Sequence, residues 1–319
     1  SLSAMADKVA PSLELFSDVV RNPAFDQSEI DRLRPRWLAR INQEKSQPVQ
    51  LALRNLPPLL YGSDHAYGIP LTGSGTEESI NALTREDMQS FHATWLRPSN
   101  GTLFVVGDTS MERILPQLEK AFGNWPENRM AIPQKNLANV DLPDEARVFI
   151  IDKPDSPQSL ILAGHVAPPT GAVNNLDITS MNDILGGQFT ARVNMNLRED
   201  KSWSYGAFTF IFNARGQRPW MAYAPVQTDK TMESLQELEK EFDDFLGTRP
   251  ATQDELSKSV HNNVNSLPGQ YETGNAVMGA LLSNQRFGRA DDYVSTLKSQ
   301  YEAIKLENVQ GAAENVLHP

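Results

Sequence analysis

The chain repeats itself. Leu83-Thr84-Arg85-Glu86-Asp87-Met88-Gln89 through Trp95-Leu96-Arg97-Pro98 runs in step with Ile304-Lys305-Leu306-Glu307-Asn308-Val309-Gln310 through Val316-Leu317-His318-Pro319, 221 residues later. Glu, Gln, Leu and Pro coincide, and the apolar positions keep phase. Phe25-Asp26-Gln27-Ser28-Glu29-Ile30 matches Ala251-Thr252-Gln253-Asp254-Glu255-Leu256 at a spacing of 226. Two independent matches at nearly one spacing favour a duplicated unit, and 319 residues suffice for two domains of ordinary size. After Pro98 the first copy runs into an apolar stretch that the second, ending at Pro319, does not reach. The second copy in turn has strands and a helix with no counterpart before Leu13, so each copy is expected to lack part of the unit.

Periodicity fills in the first copy. Leu13, Leu15, Phe16, Val19 and Val20 recur at helical spacing up to Arg21-Asn22-Pro23. Asp26-Gln27-Ser28-Glu29 opens a second helix with Ile30, Leu33, Trp37 and Ile41 on one face, and Pro35 inside it predicts a kink or a late start. The turn-rich run from Tyr61 to Pro70 is an ordered loop by its chemistry. Thr84 caps a helix from Arg85 to Trp95, Thr102 to Val106 reads as a strand, and Met111 to Phe122 is amphipathic.

Residues 125 to 145 carry Trp125-Pro126, Pro133 and Pro143 among polar residues without periodicity, as a linker would. The expected division is 1–125, a linker at 126–145, and a second unit over 146–319. In the second unit Arg147 to Ile151 and Ser159 to His165 read as strands, and Leu176 to Leu185 as a helix ended by Gly186-Gly187. Ser204 to Asn213 and Trp220 to Gln227 form a hairpin around Arg215-Gly216-Gln217. Helices are predicted at about 229–246, 252–265, 274–287 and 290–315. Along the first hairpin strand Phe208, Phe210 and Phe212 share a face, expected to be the core, which leaves Tyr205 towards the open side.

The chemistry is narrowed by what is missing. With no Cys, thiolate metal sites, disulfides and cysteine nucleophiles are excluded. A net charge of -11 argues against a nucleic-acid surface. No apolar run approaches the roughly 20 residues that span a bilayer. His65, His92, His165, His261 and His318 are too far apart for one helix to supply two metal ligands, and no metal site is expected. There is no Gly-x-Ser-x-Gly elbow and no phosphate-binding glycine loop; Gly73-x-Gly75 is a tight turn. His65 is expected to hydrogen-bond within its loop, and Glu237, Glu239, Glu241, Asp243 and Asp244 to form a solvated helix face.

One constellation stands apart: Leu185-Gly186-Gly187-Gln188-Phe189-Thr190-Ala191-Arg192 through Leu197-Arg198-Glu199-Asp200-Lys201-Ser202-Trp203-Ser204-Tyr205-Gly206. An Arg at a helix end and a Tyr opening a strand after a short turn can bring a fork-shaped charged donor and a phenol to one place. Alternatively Arg198 caps its helix and Tyr205 packs. The stretch resembles the signature that pitrilysin/insulinase zinc peptidases, which include mitochondrial-processing-peptidase-like proteins, carry in the C-terminal half. Asn22-Pro23-Ala24-Phe25, His65-Ala66-Tyr67-Gly68, Gly73 to Ile80, and Arg97-Pro98-Ser99-Asn100 with Val105-Val106-Gly107-Asp108 resemble the same family.

The resemblance implies an α+β fold of two related units, each a largely antiparallel sheet with helices on one face, the first unit truncated. It implies that Arg198 and Tyr205 bind the substrate backbone opposite a zinc ion and stabilise charge in the transition state. The family's His-x-x-Glu-His is absent, and counting back from Pro48 puts Arg40 where a ligating Glu would stand. An Arg cannot ligate zinc. The expected function is therefore the non-catalytic, substrate-binding half of a zinc metalloendopeptidase, with peptide as substrate and the zinc in a homologous partner half or subunit. Similar fused bacterial proteins imply a periplasmic location, the cytoplasm being the alternative. The competing readings are a scaffold that has lost peptidase function and an unrelated enzyme whose site assembles only in three dimensions.

Overall fold

A computed structural model describes all 319 residues. The helices α1 (Val9–Arg21), α2 (Gln27–Ser46), α3 (Pro48–Tyr61), α4 (Glu77–Ala82), α5 (Arg85–Trp95) and α6 (Met111–Phe122) precede the first strand, β1 (Gln158–Ala167). Next come α7 (Asn175–Asn182), α8 (Arg192–Asn194), β2 (Phe208–Ile211) and β3 (Arg218–Gln227). The chain ends in α9 (Thr231–Leu246), α10 (Gln253–Gln270), α11 (Gly274–Phe287), α12 (Tyr293–Glu302) and α13 (Leu306–Val316). The expected α+β class holds. No helix is long and apolar enough to cross a membrane.

The duplication shows in the element boundaries. Helices α5 and α13 both have 11 residues and start 221 apart, at Arg85 and Leu306. Each opens on the same device three residues apart: Thr84 with Asp87, Lys305 with Asn308. Helices α2 and α10 start 226 apart, at Gln27 and Gln253.

Two compact units form, one from residues 1–45, 74–135 and 271–282, the other from 46–73, 136–270 and 283–319. The boundary near the middle of the chain falls at Lys135 and Asn136, within a stretch from 126 to 145 that carries no helix or strand. Unlike the division expected from sequence, each unit takes in a segment from the other side of that boundary.

In the first unit α1 packs on α6 through Leu13, Ile114 and Ala121, with Phe16 edge-on to Phe122. Helix α2 passes through Pro35 as one element. Its Arg34 donates to Leu83 O at 2.7 Å, meeting a carbonyl just before α5. Thr102 to Val106, expected as a strand, pairs with nothing, and Leu103 and Val105 are exposed. A strand exists only through a hydrogen-bonded neighbour, and this chain offers none there.

The second unit holds the single sheet, antiparallel, in the order β1-β3-β2. The expected hairpin forms, with Phe208 opposite Tyr223 and Ile211 opposite Trp220. Trp220, Ala222, Ala224 and Val226 of β3 are buried on one face with Ile161 of β1 and Ile178, Leu238, Phe242 and Val316 from helices. Thr209 and Ile211 share that face by register with Ala222 and Trp220. The phenylalanines therefore point the other way, correcting the expected orientation. Small residues explain it: Ala207 is fully buried, and a Cβ on Gly186 would meet Thr209 N at 2.7 Å, so backbone and strand approach where Phe could not fit.

The opposite face is not bare, as a sheet with helices on one face only would be. Helix α3 lies against β1 there, Leu56 approaching the position a Cβ on Gly164 would take. Val49 and Leu53 of α3 line an apolar groove of about 240 Å³ with Leu160, Leu162, Phe210 and Tyr223. Arg147 to Ile151, also expected as a strand, is unpaired, with Val148 at 80% and Ile150 at 89% exposure. The predicted helix over 290–315 is two, α12 and α13, because Asn308 accepts the Lys305 N–H at 2.9 Å and starts a new helix.

Candidate functional site

The chain from α7 to β2 is a succession of unusual turns held by buried polar side chains. Helix α7 widens after Asn182 into a π-helical turn, Asp183–Gly187, which ends on the two glycines as expected. Helix α8 continues into a second π-helical turn, Met195–Asp200, which carries Arg198. π-turns are rare, appear mostly as single turns within helices, and are frequent at functional sites.

Four anchors fix that path. Asn194, fully buried, donates to Phe189 O at 2.6 Å and accepts the Ala207 N–H at 3.0 Å, tying the loop before α8 to the start of β2. Asn196 donates to Glu237 at 2.9 Å and Glu241 at 2.8 Å, fixing the π-turn to α9. Arg192 grips Glu255 with Nε and Nη2, both at 2.8 Å, and lies over the Phe245 ring. Leu197 O accepts from Trp203 N at 3.0 Å and Ser204 N at 3.2 Å, closing the loop that separates Arg198 from Tyr205. Within that loop Ser202 adopts a left-handed conformation, φ 56°.

Arg198 and Tyr205 thus each follow one end of a closed backbone loop. No hydrogen bond joins them. The Arg198 guanidinium pairs with Glu199 at 2.5 Å and lies over the Phe189 ring, 4.5 Å from its centroid. Phe189 is 57% exposed, and Tyr205 is 91% exposed with its phenol unbonded. Tyr205 escapes the buried face that its alternation with Ala207 and Thr209 implies because it precedes β2, beside only the isolated Ser204–Val226 bridge. Arg198 does not cap its helix, and Tyr205 does not pack.

Phe189 and Glu199 were not singled out by sequence reasoning. Glu199 adjoins the arginine, but nothing in the periodicity marks Phe189 as its platform. The acidic run on α9 is also less solvated than expected: Glu241 is buried, engaged by Asn196 and by Arg249.

The residues present do not fit a zinc ion. No group of three His, Asp or Glu residues is placed to hold a metal. Arg40 on α2 pairs with Glu44 at 3.1 Å. Each histidine has another engagement. His65 accepts the Tyr67 N–H at 3.0 Å and stacks on Tyr61, meeting its expected loop role. His92 bonds Val20 O, His165 bonds Val316 O beside His318, and His261 bonds Asn265. Half-buried Asp183 accepts from Ser259 at 3.0 Å and Asn263 at 2.7 Å, and desolvation raises its pKa above the usual value.

Comparison with known proteins gives a consistent picture. The model of a family described as "Peptidase M16 inactive domain" matches residues 82–263. An uncharacterized zinc protease, YmxG, of Bacillus subtilis is 21% identical over 308 residues, 96% of this chain and 72% of its own length. The non-peptidase homolog YmxG of Helicobacter pylori is 19% identical over 295 residues, 92% of this chain and 66% of its own length. A crystal structure of a peptidase M16 inactive domain from Pseudomonas fluorescens superposes with a TM-score of 0.84 at 23% identity, covering 100% of this chain and 74% of that one.

Proposed function

The chain belongs to the family of peptidase M16 inactive domains, and from that premise we propose that it is the non-catalytic, substrate-binding half of a zinc metalloendopeptidase. The observation that carries the reading is a pair of surface donors on a hydrogen-bonded frame, the Tyr205 phenol unspent and the Arg198 guanidinium only partly spent. The Tyr205 phenol is unbonded and almost wholly exposed, and Arg198 is held only by a neighbouring carboxylate and an aromatic face at the surface. Everything around them, Asn194, Arg192 and the Leu197 carbonyl, serves to fix the backbone.

An extended peptide laid across this surface meets a guanidinium fork and a phenol, which donate to its carbonyl oxygens and favour charge growing on them. No zinc group is present in the chain, so the metal and its chemistry are assigned to a homologous partner half or subunit. The proposed compartment is the periplasm, and the proposed ligand is a peptide, with neither nucleic acid nor membrane as partner.

The test is peptide hydrolysis by the chain alone, and in mixture with a zinc-bearing half, for the native protein, Arg198→Ala and Tyr205→Phe. Activity in the mixture alone, reduced by both substitutions, supports the proposal; zinc-dependent cleavage by the isolated chain overturns it. A second reading, a scaffold without peptidase function, is favoured by Arg40 and by the name of the Helicobacter relative. An inactive but properly assembled mixture would select it.

A further inference from the structure

Phe189 is an exposed aromatic ring on an anchored backbone. Its carbonyl accepts from the Asn194 side chain at 2.6 Å. Its neighbour Gln188 accepts from Asn262 Nδ2 at 2.9 Å and, through its carbonyl, from the Ala191 N–H at 3.0 Å. The ring takes no part in the core cluster of this unit. What it meets is Arg198, whose guanidinium carbon stands 4.5 Å from the ring centroid. A guanidinium lying over a ring is held by its flat side, and the N–H groups around its rim stay free to donate. Nη1 gives one of them to Glu199 at 2.5 Å, while Nε and Nη2 have no partner.

Glu199 does more than occupy one donor. A bare guanidinium is a carboxylate receptor, because its two parallel N–H bonds match two carboxylate oxygens. At Arg198 a carboxylate is already in place, and the segment from Arg198 to Lys201 carries as many acidic as basic residues. Lys201 is itself paired with Glu237 at 2.9 Å. A second carboxylate reaching Arg198 would come close to Glu199 and meet like-charge repulsion, which a neutral carbonyl oxygen escapes.

We propose that Phe189 and Glu199 are the residues that set what this surface accepts. Phe189 is a positioning residue that fixes the guanidinium with its rim outward. Glu199 cancels the charge of Arg198, so that the fork selects the neutral carbonyls of an internal peptide segment and discriminates against carboxylates, whether acidic side chains or a free C-terminus. The inference rests on the peptide-binding reading of Arg198 and Tyr205 and deepens it.

Fluorescence anisotropy of the 319-residue chain with one N-terminally labelled Ala/Gln/Thr peptide tests it. The peptide is made in three forms: C-terminally amidated and uncharged, with a free C-terminal carboxylate, and amidated with Glu in place of Gln. The native chain should bind the uncharged form several-fold more tightly than either acidic form. In Glu199→Gln the acidic forms should gain about tenfold, the weight of one charge pair near a surface. That gain should vanish in Arg198→Ala/Glu199→Gln, which separates an effect through the arginine from a general change of surface charge. Phe189→Leu should weaken the uncharged peptide several-fold and Phe189→Tyr should not, because only an aromatic face holds the guanidinium. Equal binding of all three forms by the native chain, or no gain in Glu199→Gln, while Arg198→Ala still weakens binding, overturns the inference and leaves the peptide-binding reading standing. Failure of every form to bind overturns both.

Discussion

Arg192 and Glu255 meet as a fork on a fork, Nε to Oε1 and Nη2 to Oε2, both at 2.8 Å, although 63 residues separate them. The same Glu255 carboxylate accepts from Thr252 N at 2.8 Å at the start of α10. One side chain thus caps a helix and anchors the turn that precedes Arg198. Burial pushes the Glu255 carboxyl up, but the hydrogen bonds from Arg192 and Thr252, with the arginine's charge, outweigh it and hold the group at about 2.

A carboxyl whose folded pKa lies below its unfolded one contributes stability above the unfolded value and loses it as pH falls. The window for Glu255 runs from about 4.5 down to about 2. Glu255→Gln should cost about 2 kcal/mol at pH 7, and the gap to the native chain should close through that window. Urea unfolding at stepped pH measures it; a gap constant down to pH 3 would show that the pair contributes nothing through charge.

His165 sets a second, higher window. Burial lowers its pKa from 6.5 to about 4, and its hydrogen bond to Val316 O only partly opposes this. The unfolded chain then takes up a proton that the folded chain refuses, so stability falls as pH drops from 6.5 towards 4. His165→Gln keeps a donor for Val316 O and removes the titration. Its unfolding free energy should be flatter than the native one between pH 6.5 and 4, with a difference in slope amounting to roughly 2 kcal/mol across the interval. Parallel curves would refute the assignment.

Asn194 is the tie between the loop before α8 and the first residue of the buried strand face. Asn194→Ala leaves the Ala207 N–H buried without an acceptor, a loss of about 2 kcal/mol. Amide exchange at Ala207 should accelerate far more than at Met221 in the strand centre. Uniform acceleration would instead indicate global destabilisation with no local role for the clamp.

Gly186 and Thr209 illustrate what sequence reading saw and missed. The double glycine was legible as the end of a helix, but its reason, the close passage of β2, depends on a strand more than 20 residues away and has no local signature. The same blindness reversed the hairpin: three phenylalanines at alternate positions look like core, yet Ala207 and Thr209 face the helices because the approach there is too tight for rings. Helix α3 hides behind Pro57 and Pro58, which stand inside its C-terminal half without the N–H that would donate to the carbonyl four residues earlier, so the sequence there reads as a break. The repeat was legible because capping is local chemistry, and Thr84 and Lys305 begin their helices in the same way. The spacing of Arg198 and Tyr205 was visible too. The Phe189 platform needed three dimensions, since only the π-turn carries the guanidinium back over a ring nine positions earlier.

Substitution at the exposed pair should separate binding from folding. Tyr205 is 91% exposed and its phenol bonds nothing, so Tyr205→Phe removes one oxygen from solvent and should change unfolding free energy by less than about 0.5 kcal/mol. Arg198 is partly exposed and its ion pair with Glu199 is a surface one, so Arg198→Ala should cost about 1 kcal/mol or less. If the pair contacts peptide carbonyls, each variant should weaken binding of an extended peptide several-fold, the charged donor more than the phenol. Fluorescence anisotropy with a labelled peptide, set beside the unfolding data, checks both halves of the argument. Stability loss without binding loss would return both residues to a structural role, and binding loss with little stability loss is what surface donors not needed by the fold should give.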